Sequence, residues 1–181
     1  VGGALIPEPG LGRLFEDASR QRAGRIGLFN TDPLLREVDV ASVADSRTLD
    51  LAPYNSYREH CGFPRVRGFE QVSGDRRVSG ALRELYRGVD DLDLYVGLFA
   101  EEPGAPDAML PPLLTKIIAI DAFSQALTNP LLAPRVFNAE TFSPHGLRII
   151  AATRTLSDVL HRNIPEDPHP RFVSMSRRAE P

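Results

Sequence analysis

Apolar residues recur along this chain mostly at intervals of three and four, which predicts a mainly α-helical fold with little or no sheet. Leu11, Leu14, Phe15 and Ala18 give an amphipathic helix ending near Gly24. A weaker helix spans Leu35 to Leu49, with Val38, Val43 and Ala44 set among charges. Pro53 stops it, and Tyr54 to Arg58 restarts a turn that Gly62-Phe63-Pro64 ends, because the residue before a proline is pushed out of the α region. Val78 to Leu85 predicts a short helix closed by Gly88. Asp90 is the expected cap of the next, with Asp91 and Asp93 at its positive end and a stripe of Leu92, Tyr95, Val96 and Phe99. Pro103 to Pro106 reads as a loop, and Pro112 opens a long helix through Leu113, Ile117, Ile120, Ser124 and Leu127. Ser143 followed by Pro144 predicts the start of a last helix, which runs through Leu147, Ile150, Ala151, Leu156, Val159 and Leu160 to Asn163. Residues 1–163 therefore read as one helical body and residues 164–181 as a proline-rich tail, extended or loosely docked.

Composition narrows the class. With 181 residues the chain is one domain or a large piece of one, and 42% hydrophobic content excludes wholesale disorder. One cysteine cannot staple a fold or build a cysteine-rich zinc module. Against 24 acidic residues, 21 basic ones leave a charge of −3 and no footprint for a phosphate backbone, so nucleic acid is not an expected partner. The longest apolar stretch, Leu110 to Leu127, carries Lys116, Asp121 and two prolines, and no transmembrane segment is expected.

Catalytic patterns fail one by one. Gly10-Leu11-Gly12 lacks the later glycine and the preceding strand of a phosphate-binding loop. His60, His145, His161 and His169 share no metal-ligand spacing, so no metal site is expected within the chain. His60 and Cys61 are adjacent and point about 100° apart on a helix, which leaves Cys61 as a structural thiol. Asp90, Asp91 and Asp93 are accounted for by helix initiation. The residues alone show no complete active site.

They do show an ordered series of motifs. Ser46-Arg47 precedes Leu51-Ala52-Pro53-Tyr54-Asn55-Ser56-Tyr57-Arg58, then Cys61-Gly62-Phe63-Pro64. Leu85-Tyr86-Arg87-Gly88 leads into Asp93-Leu94-Tyr95-Val96-Gly97-Leu98, followed by Phe123-Ser124 and by Thr141-Phe142 ahead of Leu147-Arg148-Ile149-Ile150. From about Leu11 to Met175 the chain resembles the C-terminal third of the animal-type haem peroxidase superfamily, which includes cyclooxygenases and fatty-acid dioxygenases. Tyr95 and Phe123-Ser124 side with the cyclooxygenase-like branch. So does Ser42, where many peroxidases of this type carry an Asn that accepts a bond from the iron-ligating His. At Asp45, mammalian peroxidases have an Arg near the haem propionates, which a carboxylate cannot replace.

The resemblance implies a haem b cofactor held by residues outside this chain. The iron-ligating His, the distal His and a radical-forming Tyr are expected upstream of Val1, in a longer protein, so no catalytic residue is assigned here and the isolated chain is expected to be inactive. Tyr95, Ser42 and Arg47 are implied as surroundings of the proximal ligand. Ile117, Phe123 and Ser124 are implied as substrate-channel wall, while Asp121 on the same helix face departs from the family's small apolar residue. Read from periodicity alone, Tyr95 is a core tyrosine, Ser124 a buried Ser bonded four residues back, and Arg47 and Arg58 structural cations. The implied partners are hydrogen peroxide or a lipid hydroperoxide, and in the oxygenase branch an unsaturated fatty acid and O2. The competing reading is a truncated, non-catalytic helical module of the same family.

Overall fold

The computed structural model describes residues 10–106, 108–164 and 171–175, which contain helices and turns and no strand. Eight α-helices follow in order: α1 Gly10–Arg20, α2 Arg36–Thr48, α3 Tyr54–His60, α4 Arg76–Leu85, α5 Leu94–Ala100, α6 Pro112–Leu127, α7 Ala139–Ala152 and α8 Leu156–Asn163. They fall into two compact units, one of residues 24–127 and one of residues 1–23 with 128–181.

The 24–127 unit holds the main core. Tyr54, Val72, Leu82, Leu92 and Leu113 are almost completely buried there. The Tyr-Asn-x-Tyr-Arg motif explains why. In α3, Tyr54 and Asn55 are fully buried. The Asn55 side chain mimics a strand partner: Oδ1 accepts from Val66 N at 2.9 Å, and Nδ2 donates to Val66 O at 2.9 Å and to Asp90 at 2.6 Å. Arg58 donates to Pro64 O at 2.9 Å and pairs with Glu101, at the end of α5. Glu101 also accepts from the Tyr54 hydroxyl at 3.0 Å and from Leu113 N at 2.8 Å, joining α3, α5 and α6 at one buried carboxylate.

Close approach of α5 to α3 depends on a glycine. A Cβ on Gly97 would lie 2.7 Å from Tyr54 Cβ, closer than side-chain carbons approach. α2 is the opposite case, a thirteen-residue helix with no buried residue. Val38 and Val40 are both exposed on it.

In the other unit, α1 carries Arg13–Asp17 and Arg20–Glu16 pairs one turn apart. Residues 171–175 dock on that helix: Arg171 reaches Glu16 at 3.1 Å, Ser174 N donates to Ser19 Oγ at 3.1 Å, and Val173 is buried. Residues 165–170 and 176–181, with His169 and most of the tail, lie outside the described residues.

Several expected boundaries move. α1 stops at Arg20 rather than near Gly24. α4 starts at an Asp75 cap and ends at Tyr86, while Gly88 is extended and leads a 3-10 turn, Val89–Asp91. Asp90 sits in that turn and is bonded to Asn55 and Arg65, so Asp93 takes the cap position of α5. The last helix is broken twice. Asn138 caps α7, and Ser143 interrupts it with φ 59° and ψ 158°. Ser143 Oγ accepts from Gly146 N at 3.1 Å, so the expected cap is present but restarts a kinked helix. α8 then begins separately, at a reciprocal Thr155–Asp158 capping box.

Replacing Gly97 by Ala tests the α3–α5 contact. The helix-propensity gain of about 1 kcal/mol is outweighed by overpacking against Tyr54, and a net loss of about 1–3 kcal/mol is expected in urea unfolding. An unchanged or higher midpoint would contradict this packing.

Candidate functional site

A cavity of about 200 Å3 opens between the segment of residues 26–31, α2 and α5. The segment is held against the end of α5 by Leu28 N donating to Phe99 O at 3.1 Å, and Ile26 N donates to Met109 O at 3.3 Å. Ile26, Leu28, Val43, Val96 and Phe99 give the cavity apolar walls. Phe29 completes the rim with φ 67°, an outlier for a bulky residue, and Arg77 lies 4.2 Å over its ring.

Polar groups gather at one end. The Tyr95 hydroxyl donates to Asp39 Oδ1 at 2.8 Å, and Thr31 Oγ1 donates to Asp39 Oδ2 at 2.6 Å. Those two bonds hold the Asp39 carboxyl below the usual carboxylate range, the Thr31 bond contributing most. Burial, then the Asp39 bond, pushes the Tyr95 phenol up. Ser42 lies one turn from Asp39 on α2 and donates to Val38 O at 2.8 Å, the ordinary backbond of a helical serine.

Arg47 is further along α2 and turns to Asp93, at 2.7 Å. Asp93 also accepts from Tyr86 at 2.8 Å. Arg47 holds the Asp93 carboxyl low, while burial and Asp93 push the Tyr86 phenol up to about 12.

The expected channel residues lie on α6. Ile117 is half-buried and packs on the core; Phe123 and Ser124 lie on the exposed remainder of the helix. Ile118, Ile120 and Leu127 are exposed there too, so apolar side chains occur around all sides of this half of α6, the composition of a helix meant to be surrounded. Asp121 accepts from Gln125 at 2.8 Å, an in-helix partner rather than a distant cation.

No group of three or more potential metal-ligating side chains occurs among the described residues. His60 and His145 are exposed, and His161 Nδ1 sits 2.8 Å from Ser157 O. None of the three lines the cavity.

The animal haem peroxidase family model matches residues 27–173. The chain belongs to that family. Among curated relatives, prostaglandin G/H synthase 1 of Canis lupus familiaris is 29% identical over 170 residues, covering 93% of this chain and 28% of that protein. This chain thus spans little more than a quarter of the relative's length. Among solved structures, fatty acid alpha-dioxygenase of Arabidopsis thaliana matches with a TM-score of 0.77 at 21% identity, over 99% of this chain and 32% of that one, which shows the helical fold. The Oryza sativa fatty acid alpha-dioxygenase solved with palmitic acid matches at 27% identity and a TM-score of 0.61, over 70% of this chain and 20% of that one.

The structure places Tyr95 in the cavity lining and Ser42, outside that lining, within hydrogen-bond reach of the Tyr95 hydroxyl, while Arg47 is paired to Asp93. Asp39, which accepts from both Tyr95 and Thr31, is the member of this cluster that no sequence motif marks. Its only signal was an acid one turn before Ser42, on a helix already rich in charge.

The pH dependence of stability follows from these pairs. Asp39 and Asp93 are lowered, so their contribution is complete above the unfolded value of about 3.9 and is lost as pH falls through their lower folded values. Tyr54, Tyr86 and Tyr95 are raised, so theirs is complete below about 10 and is lost as pH rises through the higher folded values. Native phenolate absorbance at about pH 10 is expected to stay well below that of the same chain in denaturant. Equal native and denatured titration curves would contradict the assignment.

Proposed function

We propose that this chain is the C-terminal part, residues 1–163 with a tail, of a cyclooxygenase-like haem peroxidase or fatty-acid oxygenase, and that it forms the proximal flank of the haem site and one wall of the substrate channel. The observation carrying this is the family match over residues 27–173 with Tyr95 at the polar end of an apolar cavity. The haem, of b type, would be ligated by an imidazole from polypeptide outside these residues, together with the distal His and radical-forming Tyr of the family. When bound, it supplies oxidation driven by hydrogen peroxide or a lipid hydroperoxide, and in the oxygenase branch the activation that leads an unsaturated fatty acid to take up O2.

The roles of this chain's own residues are supportive. Val43, Val96 and Phe99 exclude water from their side of the site. Asp39 fixes the direction of the Tyr95 O–H, and Tyr95 with Ser42 borders the ligand's surroundings. Arg47 and Asp93 pin α2 to the start of α5. Along α6, Ile117, Phe123 and Ser124 line the acyl path, a role supported by the helix's apolar composition and by the palmitic acid in the Oryza sativa relative.

A second reading is a non-catalytic helical module of the same family. It is favoured by the absence of any imidazole from the cavity wall among the described residues.

Expression from the natural gene, with whatever coding sequence precedes Val1, separates the two. A haem Soret band and peroxide turnover are expected; a purified full-length product that takes up no haem contradicts the enzyme reading. In that enzyme Ser124→Leu is expected to lower lipid oxygenation by about five- to 150-fold, the equivalent of ~1–3 kcal/mol of overpacking, while peroxide turnover persists. Equal loss of both activities contradicts the channel role.

A further inference from the structure

α2 carries its polarity the wrong way round for a surface helix. Asp39, Ser42, Val43 and Ser46, which recur at three and four and are half-buried against its own unit, are mostly polar. Val38, Val40, Ala41 and Ala44 face away and are exposed, Val40 at 64%. A helix that ends at solvent shows the reverse order. The bare apolar surface also continues past both ends of α2, through Leu34 and Leu35 before it and Leu49 and Leu51 after it. Along the helix a groove of about 400 Å3 runs over Val40, Val43 and Ala44. Side chains this small let a second helix come within about 8–10 Å of the α2 axis.

Three kinds of occupant fit an apolar helix face, and charge separates them. α2 holds Glu37, Asp39 and Asp45 against Arg36 and Arg47, and Arg47 is taken by Asp93. A helix lying in a lipid interface carries the opposite excess, lysines and arginines beside its apolar side. A second copy laid antiparallel about Ala41 would set Glu37 against the copy's Asp45, acid against acid, at both ends of the contact. A different segment that brings a cation meets neither penalty. Length allows one: the chain spans 28% of the Canis lupus familiaris relative it matches, so most of a protein of that length lies outside these residues.

We propose that the outward face of α2 is an intramolecular docking surface. In the whole protein it is covered by a helix encoded ahead of Val1, which packs its apolar side on Val40, Ala41 and Ala44 and brings a lysine or arginine to Asp45. Among the described residues Asp45 carries no ion pair, so the incoming cation meets an uncommitted carboxylate. The proposal rests on the reading of this chain as part of a longer haem peroxidase, but it concerns a helix face and not the haem.

The test uses the purified product of the natural gene, with whatever coding sequence precedes Val1, carrying Val40→Cys in a Cys61→Ser background. Maleimide labelling is read by mass spectrometry on the tryptic peptide 37–47, whose ends Arg36 and Arg47 set. Native labelling is expected to be at least about a hundredfold slower than labelling in denaturant, the protection of a face exposed only by sub-global opening. That protection is expected at every protein concentration, with or without haem. Asp45→Lys supplies a second reading. On a solvent-facing helix it raises the thermal midpoint, through better helix propensity and a cation near the C-terminus. Opposite a partner cation it is expected to lower the midpoint by a few degrees. The proposal is overturned if native labelling matches the denatured rate, if protection is lost on dilution, which marks a second copy, or if it appears only with lipid vesicles. A midpoint unchanged or raised by Asp45→Lys also overturns it. Rapid labelling of haem-loaded protein ends the docking proposal and leaves the enzyme reading; a protected face in protein that takes up no haem does the reverse.

Discussion

The Glu101 carboxylate, 6% exposed, is held between three elements that are far apart in sequence. One oxygen takes the Arg58 guanidinium and the Tyr54 hydroxyl from α3; the other takes Leu113 N from the first turn of α6. Glu101 itself directly follows α5. Burying an ion pair carries a large desolvation cost that only good geometry and full hydrogen bonding offset. Here each partner is bonded: Arg58 also reaches Pro64 O and is flanked by the rings of Tyr54 and Phe63, at 5.6 Å and 5.4 Å. No buried side-chain polar atom among the described residues lacks a partner.

The cavity inherits its shape from this node. α5 carries Gly97 against Tyr54 on one side and presents Tyr95, Val96 and Phe99 to the cavity on another. Since the helix has only seven residues, fixing its end at Glu101 and its middle at Gly97 leaves little freedom for Tyr95. Arg47 and Asp93 then set α2 beside it, so that Asp39 meets the phenol. The chain of dependence runs from a buried charge, through a glycine contact, to a hydroxyl orientation.

Much of this was legible in the sequence. The three-and-four spacing placed α2 and α6 nearly at their observed limits, Pro53 and Gly62-Phe63-Pro64 bracketed the shorter turn that proves to be α3, and the stripe through Tyr95 and Phe99 identified α5. The Tyr-Asn-x-Tyr-Arg motif marked the family, but its structural meaning was hidden: Arg58 and Glu101 lie 43 residues apart, and no local pattern pairs them. Asp39 and Tyr95, 56 apart, were hidden for the same reason. The break between α7 and α8 was missed because apolar spacing continued across it, while the Thr155–Asp158 capping box imposed a new start. Asp90 was assigned to helix capping on its neighbours alone, although its carboxylate is taken by Asn55 and Arg65.

Glu101 is the organising charge of this unit, and Glu101→Ala tests that most directly. The substitution strands a buried guanidinium, a buried hydroxyl and the first N–H of α6's core residue Leu113 together. Denaturant unfolding of this variant beside the parent chain is predicted to show a loss of about 3–5 kcal/mol, the cost of leaving one half of a buried pair unmatched. A loss below about 1 kcal/mol, the range of an exposed ion pair, would contradict the central role given to this carboxylate.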